Sequence, residues 1–132
     1  MGRAIRTAAD ASASQEAHAE RTCASCGRRM PSSASADAKW CSAACRKHGV
    51  DDTDRALEQR IDELLAARAR TSSICPSEVA RSLEPDDWRP LMEPARRAAR
   101  RMVARGEVEI TQNGSVVDPS TAKGPIRIRR PR

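Results

Sequence analysis

The stretch MEPARRAARRMVARGEVEITQNGSVVDP, residues 92–119, decides the fold. With Leu91 just before it, Ala95, Ala98, Ala99, Met102 and Val103 recur on one side of a helix. Arg96, Arg97, Arg100 and Arg101, with Arg89 upstream, fall on the other side. Pro94 would clash with the carbonyl of Pro90 in a regular helix. The spacing therefore predicts a bent or one-turn start, regular helix from about Pro94 to Arg105, and a stop at Gly106. Beyond it, Val108 and Ile110 alternate with charged residues, as in a strand with one buried face. Asn113-Gly114 is a strong hairpin signal, because both positions of the favoured turn need positive φ.

Reading outward toward the N-terminus, DDTD at 51–54 is a cluster of helix-capping residues. Leu57, Ile61, Leu64 and Leu65 follow at helical spacing, predicting a helix to about Ala69. TSSI, 71–74, reads as a short extended piece. In ICPSEVARSL, Pro76 suits a first helical turn, and Glu78 can reach back to the cap. Trp88 stands near the start of the arginine-rich helix. The order is helix, short strand, helix, helix, hairpin over residues 51–118. This is the pattern of a winged helix-turn-helix domain, mainly α with a small β-hairpin.

Four of the five cysteines precede that domain as Cys23-x2-Cys26 and Cys41-x3-Cys45. The spacing is close to that of zinc sites, and four thiolates would close a tetrahedral shell, which points to one structural zinc ion. Gly27 lets the first pair turn toward one ion. Trp40 is the large apolar group available to cover it. An iron–sulfur cluster and disulfides or redox dithiols are the alternatives. His48 could replace a cysteine as ligand; His18 lies in a segment without periodicity. A segment of this size needs a metal or crosslink to fold. The module is expected over 22–48, after an arm expected to be disordered at 1–21, and the chain closes on a basic tail at 119–132. Cys75 falls at the expected cap of the second helix of the domain, where a reactive thiol or a small buried side chain are both open.

Among 132 residues there are 21 Arg and 3 Lys, no Phe or Tyr, two Trp, and a net charge of +6. Charge is segmented: residues 88–106 carry +5 and 123–132 carry +5, while 51–87 carry −5. No apolar run is long enough to cross a membrane, and no signal or transit peptide is expected, so the expected location is cytoplasmic, where thiols stay reduced.

The segments ICPSEVAR, WRPLM and VVDP…KGPIRIRR resemble a bacterial domain-of-unknown-function family, number 3253, whose members are taken as winged-helix-like. CxxCGR and WCSxxCR resemble a second such family, number 2256, often fused in front of the first. The linker RMPSSASADAK departs from that family's Trp- and Lys-rich pattern. The resemblance implies the fold and the zinc, and no reaction.

The leading functional reading is a zinc-containing module that binds nucleic acid, most of all duplex DNA. Arg89, Arg96, Arg97, Arg100 and Arg101 would meet phosphates or guanine edges. Gln112 and Asn113, with Arg127, Arg129 and Arg130 of the tail, would reach the backbone or minor groove. With so few aromatic residues, binding of single strands by base stacking is not expected. The alternative is a protein–protein or scaffolding module, in which the alternating IRIRR could add a strand to the hairpin or to a partner's sheet. No membrane partner and no small-molecule substrate are expected. No phosphate loop, carboxylate pair or Ser/Cys–His constellation is visible, so an enzyme is not expected; a thiol redox role is the one enzymatic option.

Overall fold

A computed structural model describes residues 21–131. The expected arm at 1–21 lies outside the described residues except for Arg21, and so does His18. Arg21 donates to the carbonyls of Ser35 at 2.5 Å and Ala38 at 3.4 Å, which makes it part of the cysteine module.

The chain is mainly helical with a small antiparallel sheet. Helix α1 (Ala43–His48) belongs to the cysteine module. Next come α2 (Asp52–Ala66), β1 (Ser73–Ile74) and α3 (Pro76–Leu83). A 3-10 turn (Arg89–Leu91) then leads into α4 (Met92–Ala104), and β2 (Glu109–Gln112), β3 (Ser115–Val116) and β4 (Arg127–Arg129) follow. The order helix, strand, helix, helix, hairpin is as expected. No helix among the described residues is long and apolar enough to cross a membrane.

Local chemistry accounts for the boundaries. Asp51 accepts from the Asp54 amide at 2.8 Å while Asp54 accepts from the Asp51 amide at 3.0 Å, closing a reciprocal cap on α2. The Asp54 amide also holds the Asp51 carboxyl below the usual carboxylate range. Glu78 caps the Cys75 amide at 3.1 Å, with Pro76 in the first turn of α3. The prolines are accommodated much as expected: the 3-10 turn at 89–91 lets α4 begin at Met92, so that Pro94 falls in its first turn. Asn113 (φ 52°) and Gly114 (φ 83°) make the hairpin turn.

Within the segment expected as a basic tail, 119–132, Ile126 and Ile128 enter the core, and the IRIRR stretch adds a strand to the hairpin, one of the two placements expected for it. Its strand β4 lies between β1 and β2, in the sheet order β1-β4-β2-β3, with all pairs antiparallel. Ile128 pairs with Ile74 on one side and Ile110 on the other, and all three are buried. The alternation Ile126-Arg127-Ile128-Arg129 thus has the same cause as in any half-buried strand: isoleucines enter the core and the arginines take the opposite face, Arg127 exposed and Arg129 half-buried. Those isoleucines join Leu57, Ile61, Leu65, Val79, Ala95, Ala98, Ala99 and Met102 in one cluster. Alanines along α4 let α2 and α3 approach closely, which is how a chain without Phe or Tyr packs its centre.

Candidate metal centre and its docking on the arginine helix

The two cysteine pairs converge. Around the first, Thr22 and Arg29 form an isolated bridge, the Cys23 amide donates to the Arg28 carbonyl at 2.8 Å, and the Gly27 amide donates to Cys23 at 3.0 Å. The second pair is brought alongside by the Ala24 amide, which donates to the Lys39 carbonyl at 2.8 Å. Ser42 caps α1 through the Cys45 amide at 3.1 Å, setting Cys45 one turn from Cys41.

All four Sγ atoms lie within 4.8 Å of one another. Cys26 and Cys41 Sγ are 3.7 Å apart, and Cys41 and Cys45 Sγ are 3.6 Å apart. Four sulfurs at ~2.3 Å from a tetrahedral ion would stand about 3.8 Å from each other. These separations are therefore those of a shared metal shell, and far from the ~2.05 Å of a disulfide. The four cysteines fit a thiophilic ion, which would supply a fixed positive centre that holds the turns together.

Burial pushes Cys23 up, but the amides of Cys26, Cys41 and Ser25 outweigh it and bring the thiol down to about 6. Burial raises Cys26, and it drives Cys41 up to about 12, with the neighbouring sulfurs adding to the rise. Without a cation, the cluster favours one thiolate and resists the next. A bound cation would favour the thiolate form of all four cysteines. Trp40 and Met30 pack against the sulfurs, the role expected of Trp40.

His48 does not join this shell. Its Nε2 lies 3.0 Å from Asp54 Oδ2, tying α1 to the start of α2. Cys75 sits at the cap of α3, as expected, with Sγ 3.0 Å from Ser77 Oγ.

The largest departure from expectation concerns the arginines. Arg100 and Arg101 are 4% and 5% exposed, so they present no free surface. Arg101 Nη1 donates to the Ser25 carbonyl at 2.7 Å, its Nη2 to the Asp54 carbonyl at 3.3 Å, and its Nε to Glu58 at 2.5 Å. Arg100 Nε donates to the Cys26 carbonyl at 2.6 Å, and its Nη2 to Glu93 at 3.0 Å. Arg97 donates to the Ser25 hydroxyl. Arg96 reaches the Gly124 carbonyl at 3.1 Å. Of the face of α4 expected to meet nucleic acid, the part formed by Arg97, Arg100 and Arg101 is taken up by the Cys23–Cys26 turn. Gly27 shows how close the contact is: a Cβ there would lie 2.4 Å from Arg100 Cβ and 2.6 Å from the Arg101 amide nitrogen.

The strand arginines are also engaged. Arg127 bonds Ser73, Arg129 pairs with Glu109 at 2.9 Å, and Arg130 pairs with Asp62 at 3.0 Å. Arg89 instead stacks on Trp88, its guanidinium 4.7 Å from the ring centroid, with Arg81 at 4.3 Å. A second staple shares a cavity with Gly27 and Arg100. Arg29 pairs with Asp118 at 2.5 Å, and its amide donates to Ser120 Oγ at 2.8 Å. This contact was not foreseen from the sequence, where the two residues stand 89 positions apart. Their charges alone gave no pointer to it.

A protein-family model described as "Protein of unknown function (DUF3253)" matches residues 54–131. The chain belongs to the DUF3253 family. The DUF3253 stretch takes in nearly all of α2 through β4, including the strand arginines, and starts after the cysteine pairs. The resemblance of the cysteine module to family 2256 lies outside that match. No curated protein matches the chain.

Proposed function

We propose that this DUF3253 chain is a zinc-bearing, winged-helix-like module that binds nucleic acid, and that its binding surface is the outer face of the cysteine module rather than α4. One observation carries this reading. Arg28, Lys39, Arg46 and Lys47 are exposed and make no ion pair among the described residues, whereas Arg100, Arg101, Arg129 and Arg130 are each paired with a carboxylate inside the chain. From Arg21 to Val50 there are six basic residues and one acid, Asp37. Asp37 is taken up by the Ser35 hydroxyl at 3.0 Å. The dianion of four thiolates and a divalent zinc ion still leaves this surface basic.

Zinc acts here as a structural ion: all four places in its shell are filled by sulfur, leaving none for a substrate water. The chain is a binding module and not an enzyme in this reading. The scaffolding alternative takes its support from the exposed Val116 on the short edge strand β3, a small surface for strand addition.

The test is an anisotropy titration of the zinc-loaded chain with nucleic acid across a salt series. Affinity should fall steeply with salt. The triple variant Lys39→Ala/Arg46→Ala/Lys47→Ala should lose most of it, whereas Arg96→Ala should retain it. Negligible binding at low salt would remove the nucleic-acid reading.

A further inference from the structure

Trp40 shares a groove with two cations of that basic surface, Lys39 and Arg46. It packs inward on the sulfurs, yet it also lines this groove of about 280 Å³ formed with Ala38, Lys39, Ser42, Ala43 and Arg46. The groove is slightly smaller than the ~300–1,000 Å³ of sites for whole small molecules. It has the size for one flat ring or one phosphate. Its wall joins an aromatic plane to two cations, and Lys47 extends the charge along α1. No carboxylate lines it. Neither cation makes an ion pair among the described residues, so both are available to a ligand.

We infer that this groove is a site for single-stranded nucleic acid, with one unpaired base stacked on Trp40 and the flanking phosphates held by Lys39 and Arg46. The inference rests on the nucleic-acid reading above and narrows it. A base in a duplex is stacked on its neighbours and cannot offer its face to a tryptophan. An unpaired base can, and the contact is tolerant of sequence because every base has a π face. The aromatic-poor composition argued against stacking, but one tryptophan placed among uncommitted cations is sufficient for one base. The anion is taken as nucleic acid rather than an acidic peptide because a carboxylate chain would use the cations and leave the ring without a partner.

The experiment uses the full zinc-loaded chain carrying Trp88→Phe, so that emission reports Trp40 alone. The probes are a 12-mer of oligothymidylate, the same strand in duplex, and polyglutamate. The single strand should quench Trp40 saturably and bind ~10-fold more tightly than the duplex at equal salt. Lys39→Ala and Arg46→Ala should each weaken binding and lower the salt slope by about one. Trp40→Leu, with its zinc content measured to show that the module is intact, should lose the preference for single strands. Equal binding of single strand and duplex with unchanged Trp40 emission would overturn this inference while leaving the nucleic-acid reading in place. Quenching by polyglutamate and not by oligothymidylate would overturn both, as would the absence of binding to any probe.

Discussion

Arg101 Nη1 donates to the carbonyl of Ser25 at 2.7 Å, and Ser25 stands between two candidate metal ligands, Cys23 and Cys26. One buried guanidinium thereby links the cysteine module, Glu58 of α2 and the helix α4 that carries it. Arg101→Met removes the charge while keeping much of the stem. It leaves the buried Ser25 carbonyl without that donor and Glu58 with only Arg105. Breaking a buried pair from one side costs about 3 kcal/mol or more. Urea denaturation should show that loss for Arg101→Met. Arg96→Met, which gives up only the Gly124 contact, should cost under about 1 kcal/mol. Equal effects at the two positions would mean that the module is not docked through Arg101.

Gly27 and Gly49 make a matched pair. Both have positive φ, 79° and 62°, so alanine is strained at either, and at Gly49, where ψ is −141°, the backbone lies close to a region essentially confined to glycine, costing about 1–3 kcal/mol. At Gly49 a Cβ meets nothing within 4 Å, but at Gly27 it meets Arg100 and the backbone of α4. Gly27→Ala should therefore undock the module, seen as faster proteolysis between the module and α2. Gly49→Ala carries backbone strain without that clash, so it should raise the cleavage rate less than Gly27→Ala does.

Ile128 lies between Ile74 and Ile110 in the sheet and is fully buried. Ile128→Ala should destabilise the fold by about 2–5 kcal/mol. A dispensable tail would give almost no change in the urea midpoint, and that result would contradict the placement of β4.

The Asp118 carboxyl is held below its ordinary value by the Arg29 guanidinium, with help from the Ser120 amide. A carboxyl lowered in the folded chain stabilises it above the usual carboxylate range, around pH 4, and loses that contribution as pH falls through its lowered value. Both partners are well exposed, so the effect is a few tenths to about 1 kcal/mol. Acid also strips metal from thiolates. The informative quantity is hence the stability difference between native and Asp118→Asn chains. It should be present at pH 6 and shrink on acidification; a difference independent of pH would exclude the Arg29 staple as its source.

Much of this fold is legible in the sequence because it depends on local rules. Asp51 and Glu78 cap helices through residues three positions away, Asn113-Gly114 forms its own turn, and Cys23/Cys26 and Cys41/Cys45 each approach one another within a turn of chain. The fate of Arg100 and Arg101 depends on partners 43 to 76 residues away. On a helical wheel they form a charged face, and a charged face reads as solvent or ligand. Only the arrival of two backbone carbonyls from the Cys23–Cys26 turn makes it an interior contact. The strand at Arg127–Arg129 was half legible: its alternation marks a strand that can join the hairpin, as it does on β2, but gives no sign of the pairing with β1 on its other side.

The most direct measurement of the metal-centre account is a thiol count on the native chain, paired with metal analysis. The chain has five free cysteines, four of them in the candidate shell. One zinc ion per chain is expected, with at most one thiol, Cys75, reacting with a chromogenic disulfide reagent. After chelation all five should react and the zinc should be released. Five reactive thiols in the untreated chain, or none together with an absence of bound metal, would contradict it.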